Sequence, residues 1–152
     1  MSAIELRGAG IALTGLRESD VPRITEYCSD PVFEQFMSTP WPYTTADAAW
    51  FVREYAPAGW RDGSELTWAV RQEGAGPLLG TVSLRPARGD IGFWLGAPHR
   101  GQGIMSAAVG VVPTRTGEIT ECWHAVITRA GAAPAGTDDD STVTQRQLPW
   151  PA

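Results

Sequence analysis

A chain of 152 residues is one domain by length, and with 43% hydrophobic residues it can fill a single core. A net charge of −5 argues against a nucleic-acid binder, which carries a basic face, and is compatible with a cationic amine as substrate. No stretch approaches ~20 apolar residues and no apolar leader opens the chain, so membrane insertion and secretion have no support and the cytoplasm is the default. Cys28, Cys122, His99 and His124 show neither C-x-x-C nor metal-ligand spacing. No disulfide and no metal are expected, and all four read as ordinary structural residues.

In chain order, Ile11 to Leu16 reads as an edge strand. Ser19 or Asp20 then caps a helix that tolerates Pro22 in its first turn and carries Val21, Ile24 and Tyr27 or Cys28 as its apolar stripe. The link Pro40-Trp41-Pro42-Tyr43 leads to Thr44-Thr45-Ala46-Asp47, a capping box with Asp in place of Glu. Behind it Ala48, Phe51, Val52 and Tyr55 recur at helical spacing, in a second helix that Pro57 and Gly59 end. Leu66 to Val70 and Leu78 to Leu84, on either side of Gly74-Ala75-Gly76-Pro77, read as an antiparallel hairpin.

The segment that speaks about chemistry follows. Ile91, Phe93 and Leu95 alternate with period two, as a half-buried strand requires, and Pro98, which has no N–H for the ladder, stops that strand. Gly101 and Gly103 relieve the steric limits on the backbone and let amides approach a ligand, while Arg100 adds a fixed positive charge. Ile104, Met105, Ala107, Ala108 and Val112 give the next helix its apolar stripe. The first N–H groups of that helix point back at the turn, and with the helix dipole they attract an anion, each dipole–charge contact being worth about 0.3–1 kcal/mol. A pyrophosphate fits such a turn. Pro113 keeps the helix short, and a fifth strand is expected over Ile119 to Ile127. The element order is β-α-α-β-β-β-α-β. Neither G-x-G-x-x-G with a following acidic residue nor Gly-Lys-Ser/Thr occurs, which sets aside the Rossmann and P-loop nucleotide folds.

Arg100-Gly101-Gln102-Gly103-Ile104-Met105 resembles the acetyl-CoA loop of the GNAT N-acetyltransferase superfamily, Gln/Arg-x-x-Gly-x-Gly/Ala. Met105 departs from the small residue of the strict pattern. Followed by Ser106-Ala107-Ala108-Val109, it is similar to a variant of the ribosomal-protein N-terminal (Rim-type) branch. Asp90-Ile91-Gly92-Phe93-Trp94-Leu95 and Leu13-Thr14-Gly15-Leu16-Arg17-Glu18-Ser19-Asp20 resemble the cofactor strand and the opening strand and helix cap of that branch. The resemblance covers residues 11–127 and implies an α+β fold, a mixed, mostly antiparallel sheet flanked by helices. The last strands of that fold are missing or degenerate here.

The resemblance implies direct transfer of an acetyl group from acetyl-CoA to a primary amine, either a peptide N-terminus or a small amine. Phe93, Trp94 and Leu95 would hold the pantetheine arm. Arg100, Gly101, Gln102, Gly103, Ile104, Met105 and Ser106 would hold the pyrophosphate. Asp90 is the candidate base or water-orienter, against a plain solvated carboxylate. Trp41 and Tyr43 form either a wall over the acceptor amine or an aromatic lid on the core. Glu18, Asp30, Glu34 and Glu54 either steer a cationic substrate or are a solvated acidic surface. The family's thiolate acid is a Tyr after the fifth strand, whereas Tyr27, Tyr43 and Tyr55 all lie early.

Residues 1–127 are thus expected to form the acetyl-CoA-binding domain. Residues 128–152 hold only Val143 and Leu148 among Leu, Ile, Val and Phe, too few for a packed segment, and read as a disordered tail. Two accounts stay open: a diverged or truncated enzyme, with or without a shifted reading frame, and a true appendage on a shorter fold completed by a partner. The rival to an enzyme is a CoA-binding module without catalysis or an inactive remnant. An incomplete sheet edge invites a homodimer.

Overall fold

The computed structural model describes residues 2–37, 39–72, 76–112, 121–124 and 143–144. Among the described residues seven strands form one sheet in chain order: β1 (Leu6–Gly8), β2 (Ile11–Thr14), β3 (Leu66–Gln72), β4 (Gly80–Arg85), β5 (Asp90–Leu95), β6 (Glu121–His124) and β7 (Val143–Thr144). The first five pair antiparallel, whereas β6 runs parallel to β5 and β7 parallel to β6. The helices are α1 (Val21–Cys28), α2 (Val32–Phe36), α3 (Thr45–Trp50), α4 (Ala56–Asp62) and α5 (Ile104–Val111).

Each sheet face is covered, and strand alternation sorts the side chains between the two. Leu13, Val70, Val82 and Ile91 point to the face that α5 covers through Ile104, Met105 and Ala108. Ala69 and Trp94 point to the other face, where Ile24, Phe33, Ala48 and Phe51 of the early helices pack. β5 is therefore covered on both sides and not half-buried: Ile91 is sealed on one face and Trp94, 7% exposed, on the other.

Three expectations about the elements change. Ile11–Thr14 is an inner strand, because Leu6–Gly8 returns against it through Ala9–Gly10, both at positive φ, the backbone shape that suits a two-residue hairpin. Pro57 and Gly59 do not end the second helix. Thr44 and Asp47 form the expected reciprocal cap, and after α3 the chain widens into a π-type turn over Phe51–Tyr55 that continues into α4. Pro57 then stands in the first turn of α4, where its missing N–H costs no ladder bond. Asp20 precedes α1 but its carboxylate makes no cap to it; it accepts the Arg17 N–H at 2.7 Å and pairs with Arg71. Arg71, 1% exposed, donates to both Asp20 oxygens, to Thr14 Oγ1 at 2.8 Å and to the Gly76 carbonyl at 3.2 Å.

The expected fifth strand is found as Glu121–His124. The expectation for the tail lies outside the described residues except at Val143–Thr144, which adds a short strand to the sheet. α5 stops at Val111, and Val112, before Pro113, is extended, as a residue preceding proline prefers.

Candidate functional site

The strand, turn and helix read from the sequence are present in that order. β5 ends at Leu95, a 3-10 turn spans Ala97–His99, and α5 begins at Ile104. Gly101 and Gly103 both lie in the left-handed region, at φ +75° and +76°, which β-carbon-bearing residues adopt only under strain. Open space surrounds the outer side of each glycine. The Ala107 N–H is the first to bond back, to the Gly103 carbonyl at 3.1 Å. The earlier N–H groups at the start of α5 have no intrahelical acceptor, and they face the turn at the positive end of the helix dipole. Gln102 closes the turn on itself, its amide donating to the Pro98 carbonyl at 3.1 Å. This arrangement fits an anionic phosphate group.

The side chains of the turn divide differently from the expectation. Ile104 and Met105 are buried in the core, so they offer backbone and not side chains to a ligand, and the larger Met105 is accommodated because its position points inward. Gly101, Gln102, Gly103 and Ser106 are exposed. Arg100 is turned in: its Nε donates to the Leu95 carbonyl at 3.0 Å and its Nη1 lies 3.3 Å from Asp30 Oδ2. Trp94 and Leu95 extend past the described β5–β6 register, which runs from Asp90↔Glu121 to Phe93↔His124.

Asp90 is placed apart from the turn. It stands at the far end of β5, roughly 13 Å of strand before Trp94 at about 3.3 Å per residue. Its carboxylate is wholly buried, with Arg85 Nε at 2.6 Å from Oδ1 and Arg88 Nε at 3.5 Å from Oδ2. Arg85 and Asp90 face each other across the β4–β5 hairpin. The Asp90 carboxylate, expected as base or water-orienter, is enclosed by two guanidinium groups, holds the hairpin, and has no exposed surface to offer a substrate amine. Tyr43 takes the core side of its two expectations: it is 6% exposed and packed among Cys28, Phe33 and Phe51, with burial pushing its phenol and the Cys28 thiol upward. Trp41, at 38% exposure, is the one of the pair left at the surface. Of the four acidic residues, Glu18 pairs with Arg53 and Asp30 with Arg100, while Glu34 and Glu54 are exposed.

A cluster beside the turn had no sequence signal. The Tyr27 hydroxyl lies 2.8 Å from His99 Nε2 and accepts from Arg23 Nη1 at 2.7 Å, and Phe33 meets Trp94 edge-on at 5.7 Å. Burial, and then the nearby Arg23 charge, hold the His99 ring below the ordinary histidine value.

The site thus lies where an antiparallel meander is continued by a parallel strand, at a glycine turn on the strand end that fits a phosphate group. The sequence matches the acetyltransferase (GNAT) domain family over residues 11–130, and the chain belongs to that family. No curated protein sequence matches it. Among solved structures it is similar to the microcin C7 self-immunity acetyltransferase MccE in complex with acetyl-CoA and AMP. There the identity is 20%, the TM-score 0.54, and the alignment covers 68% of this chain and 61% of that one. RimL, a ribosomal-protein alpha-N acetyltransferase in complex with coenzyme A, aligns at 20% identity and TM-score 0.56 over 71% of this chain and 64% of its own. A Salmonella typhimurium acetyltransferase that modifies the N-terminal serine of a 50S ribosomal subunit protein aligns at 18% identity and TM-score 0.51, over 68% and 62%. At these identities the likeness establishes the fold. The chain spans less than two thirds of the length of each of these three.

Proposed function

We propose that this chain binds acetyl-CoA, with the pyrophosphate on the backbone amides of residues 101–106 and the pantetheine arm along Phe93, Trp94 and Leu95, and transfers the acetyl group to a primary amine. The observation that carries this reading is the pair of left-handed glycines leading into the open N-terminus of α5, in a chain of the acetyltransferase family. The amine nitrogen attacks the thioester carbon, the carbon–sulfur bond breaks, and the coenzyme leaves as a thiolate that takes up a proton. Backbone N–H groups at the end of β5 polarise the thioester oxygen as charge develops on it.

The acceptor is a peptide N-terminus or a small amine. RimL, an alpha-N-protein acetyltransferase, is the precedent for a peptide N-terminus, and Trp41 is the exposed aromatic that would contact the acceptor here. Residues 1–127 form the functional unit and 128–152 an appendage, and the reaction belongs in the cytoplasm. A second reading, CoA binding without turnover, gains support from the enclosure of Asp90 between Arg85 and Arg88. Calorimetric titration with CoA, paired with a thiol-release assay over N-terminal peptides and small amines, tests both. Binding with turnover is the expected result. Binding alone favours the second reading, and no binding overturns both.

A further inference from the structure

The cofactor turn is held from outside its own motif, by the link between α1 and α2. Arg100 spans the two parts: its guanidinium bonds the Leu95 carbonyl, faces Asp30, and lies 5.8 Å from the centre of the Phe33 ring. With the side chain only 12% exposed, its charge sits beneath the turn and not out toward a ligand. Three residues before Asp30, Tyr27 makes the second hold. Its oxygen accepts from Arg23 and lies 2.8 Å from His99 Nε2, and its ring lies against Gly96 where a β-carbon would stand only 2.6 Å away.

A carboxylate beside an anion site is unfavourable for the anion on charge alone. Any help that Asp30 gives an anion must therefore run through what it does to Arg100. We propose that Asp30 and Tyr27 are positioning residues for acetyl-CoA: through Arg100 and His99 they lock the 101–106 amides in their anion-binding shape, and Arg100 braces the turn without ligating the pyrophosphate. This rests on the reading above that the turn holds the pyrophosphate.

The two possible roles of Arg100 give opposite signs in one experiment. Asp30→Asn removes the charge but keeps the Oδ1 that accepts the Val32 N–H at 3.1 Å, so the start of α2 survives. CoA is titrated into the wild-type chain, Asp30→Asn, Arg100→Lys and Tyr27→Phe, with melting temperatures measured in parallel and turnover followed at saturating amine. The brace predicts CoA binding about threefold to tenfold weaker in Asp30→Asn and in Arg100→Lys, the range of a partly buried polar contact. The KM for acetyl-CoA rises in step while kcat and the amine KM hold, and Tyr27→Phe shifts the same quantity in the same direction. Tighter CoA binding by Asp30→Asn with affinity retained in Arg100→Lys overturns the proposal and makes Arg100 a phosphate ligand. Unchanged affinity with only a lower melting temperature also overturns it. A wild-type chain that ignores CoA overturns the underlying functional reading, a result separable from either of these.

Discussion

The two ends of β5 solve opposite problems with similar residues. At its start, Asp90 is enclosed by Arg85 and Arg88, so the charges there are spent on one another and the carboxylate has no exposure. At its end, Arg100 is likewise spent on Asp30 and the Leu95 carbonyl, but the neighbouring main-chain amides are left facing outward. The lesson is that in this fold side-chain charges secure the strand at both ends while backbone dipoles are what remains to meet a ligand.

The sharpest way to break the contrast is at the closed end. Asp90→Ala removes the buried carboxylate that Arg85 and Arg88 face, and removal of one partner of such a pair costs about 3–5 kcal/mol, read from urea unfolding. CoA affinity of the folded fraction should stay the same. Lost turnover with unchanged stability would instead restore Asp90 as the base. At the open end, Gly103→Val forces a β-branched residue to φ +76°, at a cost of about 1–3 kcal/mol, and weakens CoA binding by tenfold or more, measured by calorimetry. Trp41→Ala, away from both ends, should leave stability within about 0.5 kcal/mol and raise the KM for the amine alone in steady-state kinetics.

The smallest effect concerns pH. The His99 ring is held below its ordinary value of 6.5 by burial and by Arg23, so the folded state favours the neutral ring while the unfolded chain takes up its proton near 6.5. Its contribution to stability is complete above pH 6.5 and is lost as pH falls through the lowered folded value. Melting temperature against pH should therefore decline on the acid side, and His99→Gln should flatten that part of the slope.

The strand–turn–helix was legible because its signals are local: alternation at Ile91, Phe93 and Leu95, a stop at Pro98, and glycines before an apolar stripe. In the stretch from Tyr27 to Ala56 the Thr44–Asp47 cap and the stripe of Ala48, Phe51, Val52 and Tyr55 behind it were legible, whereas the π-type turn that rescues Pro57 has no pattern of its own. The burial of Asp90 against Arg85 was not legible for want of a register. Arg85-Pro86-Ala87-Arg88-Gly89-Asp90, read as a hairpin turn flanked by opposite charges, carries that information, because facing residues in an antiparallel pair interact. The Asp30–Arg100 and Tyr27–His99 contacts join residues 70 and 72 positions apart, and no periodicity encodes them. Tyr43 was ambiguous because an aromatic between prolines suits a lid and a core equally well, and the choice is made by Cys28, Phe33 and Phe51 closing around it.

Arg71 has a consequence for how the molecule opens. One sealed guanidinium is anchored simultaneously to the exit of β2, to the turn before α1 and to the loop ahead of β4. Peeling any one of these segments away breaks its bonds to a buried cation, so fraying at one weakens the anchor of the other two. The early helical layer and the middle of the sheet are therefore expected to open as one cooperative unit, with amide hydrogens that exchange together.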